Sequence, residues 1–487
     1  MVHRKSNCLR FLSHHRTPIL LTIFSFMLFY YFKLDLMNEW DSLCYIGSIH
    51  THTRSWLGMG RSGFIYFFVP IWELSRILFK TPPLERYHVV ILVNLVFSSL
   101  TVWLVYSVTK KISRNTLIAY ASAIILIFSK DFISLAGNTF TEPMMIFMIF
   151  LSYWCYLNAI DKKSISFFYL SAFLFGYAFE IKEAALLSIL FFPALHFTRF
   201  RSKYFRAKNY FLFILIFIIT GLMAPVYFYL IEGNNYVHHV IDVAEISKFN
   251  FADWQQTYTI MRHGFGILLF PLAGLIALLL RKKATESLIL FSLIAPNIIF
   301  SIYGTRDERY FVFGYIALSV LTAYAFFYIT QYARFILKIP PKYAFHCFSI
   351  LLIILVAYNF AVFYRPLIKD NEYSKKLKSY GSQLIYNYPK NTVFILGEYS
   401  ALMGGYYNPL SGSNNEVIWS GVTWPHKELS KVVAQYLSQR KMIIIDLDGF
   451  NGWWQYDKPD VLELMSLYKC KRVAGHFIEL TNKSYTR

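Results

Sequence analysis

Long apolar runs alternate with short basic clusters along most of this 487-residue chain, and that alternation limits its fold more than any other feature. Lys110, Lys111 and Arg114 follow the second run, and Asp161, Lys162 and Lys163 the fourth. Arg199, Arg201, Lys203, Arg206 and Lys208 follow the sixth. Arg281, Lys282 and Lys283 follow the eighth, and Arg334, Lys338 and Lys342 the tenth. A basic cluster after every even-numbered run is what the positive-inside bias produces when those loops share the cytoplasmic side. One orientation satisfies the whole pattern and gives about eleven spans of roughly 20 residues, the length a hydrocarbon core requires. The expected fold class is an α-helical polytopic membrane protein.

Composition agrees. Only 16% of residues are charged and 56% are hydrophobic, whereas a soluble domain carries about a quarter charged residues. The excess of basic residues, 48 Lys and Arg against 28 Asp and Glu, falls mainly in the loops between runs. It reads as topology beside an anionic leaflet rather than as a nucleic-acid footprint.

Residues 1–17, with Arg4, Lys5, Arg10 and Arg16, read as a cytoplasmic tail. No small-residue cleavage site follows the first apolar run; the sequence continues Lys33-Leu34-Asp35, so that run is expected to stay as a span. Residues 18–363 then form the transmembrane domain, with a large first external loop at 33–85. Residues 364–487 change character. Strand-like segments at 392–397, 441–446 and 476–480 flank a helical pattern at 426–440, which suggests a small layered α/β domain. An odd number of spans places that domain outside the cytoplasm. The first of these strands runs into Gly397-Glu398-Tyr399, which lacks the glycine spacing of a nucleotide-binding turn. The expected location is the plasma (inner) membrane.

The cytoplasmic loops are short and nearly free of catalytic residue types, so the chemistry is sought outside, where the acids lie. Soluble activated sugars and ATP are cytoplasmic, so external chemistry needs a substrate already activated in the membrane. Asp35, Glu39 and Asp41 follow the first span directly. Carboxylates crowded at a low-dielectric boundary acquire raised pKa values suited to a general base. The plain alternative is that acids gather at the non-basic end of a span. Glu142 opens the fourth span within Asn138-Thr139-Phe140-Thr141-Glu142-Pro143. It is either a second external acid of the site or a helix-start residue, with Thr141 or Asn138 as cap and Pro143 in the first turn.

Two cationic segments run against the positive-inside bias: Lys182 in the turn between spans five and six, and Arg306-Asp307-Glu308-Arg309-Tyr310 opening span ten. They either pair with neighbouring acids or hold an anionic head group, for which the arginine fork is well suited. His50 and His52, and His238 and His239, leave a divalent metal open, but neither pair has a third ligand at recognisable spacing, so no metal ligand is assigned. Trp40, Trp56, Tyr66 and Trp72 suggest an aromatic belt and an interfacial helix. No nucleophile elbow of the Gly-x-Ser-x-Gly type occurs.

Taken in order, these features resemble the GT-C class of integral membrane glycosyltransferases, and within it the protein mannosyltransferase and aminoarabinose transferase group. The resemblance covers nearly the whole chain: an acidic first loop, a Thr-Glu-Pro start to span four, a Lys-containing turn, an Arg-Tyr start to a late span and a C-terminal α/β domain. It implies a GT-C-like fold and a polyprenyl-phosphate sugar as donor. Asp41, followed by Tyr45, matches the loop-one acid of the family, with Asp35 and Glu39 as competitors because the usual Asp-Glu dipeptide is missing. Glu142 matches the second acidic position. Arg309, just before Tyr310, matches a basic position that holds the lipid phosphate; Lys182 and Arg306 are further candidates. Gly58-Met59-Gly60-Arg61-Ser62-Gly63 stands where the family commonly has a Pro-rich stretch.

The resemblance implies an inverting transfer. Asp41 deprotonates an acceptor hydroxyl or amine on a lipid, glycan or protein, which attacks the anomeric carbon. Polyprenyl phosphate leaves as a stabilised anion, so no general acid is required, in contrast to glycosidases. No organic cofactor is implied. Two alternatives remain at this point. One is an envelope polysaccharide polymerase or ligase that uses a lipid-linked oligosaccharide. The other is a lipid or solute transporter, which would place ionisable groups near mid-span.

Overall fold

The computed structural model describes residues 18–34, 36, 40–55, 61–199, 207–246, 268–281, 283–303, 311–418, 429–450, 458–474 and 476–481. The chain is mostly helical. In order come α1 (Pro18–Tyr31), α2 (Trp40–Thr51), α3 (Ser62–Phe79), α4 (Tyr87–Ser113), α5 (Thr116–Ile127), α6 (Lys130–Ala136), α7 (Glu142–Lys162) and α8 (Ile165–Ile181). A 3-10 helix, Glu183–Leu190, leads into α9 (Phe191–Arg199). Beyond it are α10 (Ala207–Glu232), α11 (Asn234–Ile246), α12 (Leu269–Leu280), α13 (Ala284–Tyr303), α14 (Val312–Ile336) and α15 (Pro341–Asn387).

Among the described residues, six helices are long and apolar enough to cross a membrane, or seven if the pair α5 and α6, bent by 67°, counts as one span. Shorter apolar helices include α1, α8 and α12. The 17 residues of α8 extend about 25 Å at 1.5 Å per residue, somewhat less than a full hydrocarbon core. Ser62–Phe79, where the sequence suggested an interfacial helix, is one of the six.

The chain divides into two compact units. The first comprises residues 1–33, 56–64 and 91–369. Its helices approach closely where side chains are small, as is usual when lipid supplies no hydrophobic drive between helices. A Cβ on Gly176 of α8 would lie 2.8 Å from the Phe217 carbonyl oxygen of α10, and one on Gly274 of α12 would collide with that of Leu321 in α14. Around α14 a core forms from Ile118, Ile125, Leu278, Tyr315, Leu321 and Phe326. Asn115 caps α5 by accepting from the amides of Leu117 and Ile118.

The second unit comprises residues 34–55, 65–90 and 370–487. Its sheet has the order β2-β1-β3-β5-β4: β1 (Val393–Ile395), β2 (Glu416–Ile418), β3 (Ile443–Asp446), β4 (Lys469–Ala474) and β5 (Phe477–Thr481). Strand β1 pairs in parallel with β2 and β3, while β5 runs antiparallel to β3 and β4. Val393, Ile395, Ile443, Ile445 and Leu480 pack with Val433 and Leu437 of the helix Leu429–Ser438. Strands β1, β3 and β5 fall within or beside the three strand-like segments of the sequence. The short β2 and the Lys- and Arg-bearing β4 occupy the two edges, where charge and brevity discourage further pairing.

Two features differ from expectation. Helix α15 continues through residue 364 to Asn387, with Pro366 inside it, so the change of composition there is not a break in secondary structure. The segment around α2, expected as part of a loop of the membrane domain, belongs with residues 370–487.

Candidate active site

Within the first unit, the acid and the cation singled out at spans four and five form an ion pair. Helix α8 ends at Ile181, Lys182 is extended, and the 3-10 helix begins at Glu183. That exit sends Lys182 Nζ to 2.5 Å from Glu142 Oε1, with both side chains about 2% exposed or less. Thr141 Oγ1 donates to the other carboxylate oxygen at 3.2 Å. The segment ahead of α7 is tied to α4, because Asn94 Nδ2 donates to the carbonyls of Asn138 (3.0 Å) and Phe140 (2.9 Å). Neither proposed cap operates as such: Thr141 makes no side-chain cap bond, and Asn138 Oδ1 accepts from the adjacent Thr139 amide. Glu142 therefore does more than complement the helix dipole. It is the counter-ion of a buried lysine.

A second ion pair adjoins the first in sequence. Arg61 Nη1 donates to Glu183 Oε2. Arg61 is buried whereas the Glu183 side chain is 40% exposed. The backbone of Arg61 is left-handed, with φ 51°, a conformation that costs a non-glycine residue about 1–2 kcal/mol. Tight packing at Gly63 keeps the chain in this course. A Cβ on Gly63 would lie 2.8 Å from backbone atoms of Glu180 and Ile181, and Tyr177 Oη donates to the Gly63 carbonyl at 2.8 Å. The Ser62 hydroxyl is buried with no hydrogen-bond partner among the described residues. Glu180 accepts from the Ala224 amide at 2.8 Å, next to Pro225 inside α10. The sequence did not single out Arg61 as a site residue. The available signal was the one that flagged Lys182, a cation on a segment that should lack them.

In the second unit, Asp41 lies in the first turn of α2 and is half-buried. Tyr45, one turn on, shares its face and is 1% exposed. Helix α2 packs on residues 401–407: a Cβ on Gly47 would collide with the Gly405 carbonyl oxygen. The Leu36 amide donates to Ser374 Oγ at 2.5 Å, Tyr406 Oη donates to the Leu84 carbonyl at 2.5 Å, and Lys378 pairs with Glu85 at 3.0 Å. Asp41 is thus carried on a helix seated against the C-terminal segment.

His52 pairs with Glu73 at 3.3 Å, and the His50 ring stands edge-on to Trp72. Burial and the nearby Arg86 charge lower the pKa of His50. Among the described residues, no three His, Cys, Asp or Glu side chains stand together as a metal site. Asp35, Glu39, Arg306, Arg309 and Tyr310 lie outside the described residues.

The family model of dolichyl-phosphate-mannose-protein mannosyltransferases matches residues 85–229, which include Glu142, Lys182 and Glu183. No curated protein matches the chain by sequence. Among solved structures, the chain is similar to ArnT from Cupriavidus metallidurans bound to undecaprenyl phosphate: TM-score 0.61, 10% identity, 97% of this chain and 99% of that one. The apo form of that protein gives TM-score 0.59 at 12% identity, over 96% of this chain and 98% of that one. The Archaeoglobus fulgidus oligosaccharyltransferase tethered to an acceptor peptide gives TM-score 0.59 at 11% identity, over 98% of this chain and 75% of that one.

Proposed function

We propose that this chain, a membrane glycosyltransferase of the GT-C superfamily, moves one sugar from a polyprenyl-phosphate donor to a lipid, glycan or protein acceptor, with inversion at the anomeric carbon. The observation that carries the reading is that the family match takes in Glu142, Lys182 and Glu183, three of the four residues that form the two ion pairs. The likeness to ArnT over almost the full length of both chains supports a polyprenyl-phosphate-linked donor.

Each group then has a chemical role. Asp41 is the general base that takes the acceptor proton, with Asp35 and Glu39 as alternatives, and Tyr45, one turn on, is assigned to substrate binding. Glu142 is a second acid held in one orientation by Lys182. Arg61 and the Ser62 hydroxyl bind the donor phosphate, together with Arg306, Arg309 and Tyr310. Donors aimed at a leaving phosphate count most in a water-poor site, where reorganisation is already complete. The chain is an integral membrane protein; its tail is assigned to the cytoplasm and residues 364–487 to the external face of the plasma (inner) membrane, with about eleven spans by loop charge. A second reading, transfer of a lipid-linked oligosaccharide, is favoured only by the likeness to the oligosaccharyltransferase, of which the chain covers less.

The test is transfer by purified protein in lipid from a panel of labelled polyprenyl-phosphate monosaccharides to a membrane extract. Label should move from one donor, and Asp41→Asn should lower turnover about 10²–10⁴-fold, the contribution of a positioned general base. If Asp41, Asp35 and Glu39 can each be amidated without loss, the catalytic assignment fails. Label taken only from lipid-linked oligosaccharides would favour the second reading.

A further inference from the structure

The two ion pairs at the exit of α8 are unlike in one respect that bears on ligand binding. Glu142 and Lys182 are both buried, with side chains about 2% exposed or less, so neither member of that pair is free to turn outward. Glu183 begins a helix and leaves 40% of its side chain exposed, while the arginine it holds is buried. The mobile member of the second pair is therefore the carboxylate, not the guanidinium. Arg61 is pinned by its left-handed backbone, by the Gly63 packing against Glu180 and Ile181, and by the Tyr177 bond to the Gly63 carbonyl. Beside it stands a buried Ser62 hydroxyl for which no described residue supplies a partner.

We propose that Glu183 is a displaceable counter-ion that occupies Arg61 in the absence of ligand and must swing into solvent before Arg61 and Ser62 can take up a phosphate monoester or diester. The inference rests on the assignment of Arg61 to the donor phosphate. A carboxylate and a phosphate make the same kind of charge-assisted bond to a guanidinium, so one replaces the other at Arg61. The exchange has two consequences. Donor affinity is lower than the bare arginine would give, because the ion pair must first open. Release of the polyprenyl phosphate product is faster, because a tethered carboxylate stands ready to reclaim Arg61. No covalent step is involved.

The experiment measures binding of undecaprenyl phosphate to the full chain in lipid nanodiscs, for wild type, Glu183→Gln, Glu183→Asp and Arg61→Gln, each shown to be monodisperse. Glu183→Gln should bind roughly two- to fivefold more tightly, the range a half-exposed ion pair supplies. Its affinity should also fall more steeply with salt, because the local charge has become more positive. Glu183→Asp, whose shorter side chain still carries the charge, should lie between it and wild type. Inorganic phosphate at millimolar concentration, added as competitor, distinguishes recognition of the phosphate alone from recognition that needs the lipid. Tight wild-type binding lost in Arg61→Gln but unchanged or weakened in Glu183→Gln would overturn the counter-ion role and leave the phosphate site standing. If Arg61→Gln binds as well as wild type, or wild type does not bind at all, the phosphate assignment falls and the counter-ion role with it.

Discussion

Lys182 Nζ lies 2.5 Å from Glu142 Oε1, and the two residues are forty positions apart, one leaving α8 and the other opening α7. Both side chains are withdrawn from water and face each other as counter-ions. Removing one partner takes away the counter-ion of the other, which costs about 3–5 kcal/mol in buried pairs, whereas removing both together is much less damaging.

Glu142→Gln and Lys182→Met are therefore expected to destabilise the purified protein strongly, each lowering its thermal unfolding temperature in detergent. The double variant Glu142→Met with Lys182→Met should recover most of that loss. Its transfer activity should stay low, since Glu142 is then absent. Full activity in a stable double variant would reduce the pair to a packing element.

Gly47 of α2 meets the backbone of Gly405 with no room for a side chain. Gly47→Ala should force the two segments apart, at about 1–3 kcal/mol for overpacking. Hydrogen exchange over residues 40–51 and 401–411 should quicken together, and turnover should fall because Asp41 rides on the same helix. Unchanged exchange in both segments would show that α2 is not seated there.

Asp446 closes β3, is fully buried, and accepts a hydrogen bond from the Tyr380 hydroxyl while His476 stands 3.5 Å away. Burial raises its pKa above the usual carboxylate value; the Tyr380 bond and the His476 charge only partly oppose this. The folded state then binds a proton more readily than the unfolded one. Between the ordinary carboxylate pKa and the raised one, stability falls as pH rises, and above the raised value the whole penalty is present. Amides of β3 and β5 should accordingly gain local stability as pH is lowered through that window, and Asp446→Asn should flatten the dependence. The check is hydrogen exchange across pH with the intrinsic chemical rate divided out; a slope of opposite sign would contradict the assignment.

The membrane class, the helical domain and the small α/β domain could all be read from the sequence, because apolar period and composition act locally and survive any arrangement of the parts. Strands β1, β3 and β5 were legible for the same reason, as short apolar runs. Strand β4 was not, since Lys469-Cys470-Lys471-Arg472 carries the charges of a sheet edge and resembles a loop. The change of character at residue 364 suggested a boundary, yet α15 carries on through it to Asn387.

At the site, the sequence marked Lys182 as a cation against the positive-inside bias and Glu142 as an external acid or a helix-start residue, and so named both members of the pair as individuals. Their pairing, the role of Arg61, and the seating of α2 by Gly47 on Gly405 were decided by tertiary structure. Each depends on where a helix ends and which way the next residue points. Lys182 reaches Glu142 because α8 stops one residue earlier and the backbone there is extended. Separation along the chain carries no trace of such a meeting, and only the packed helices bring the charges to within bonding distance.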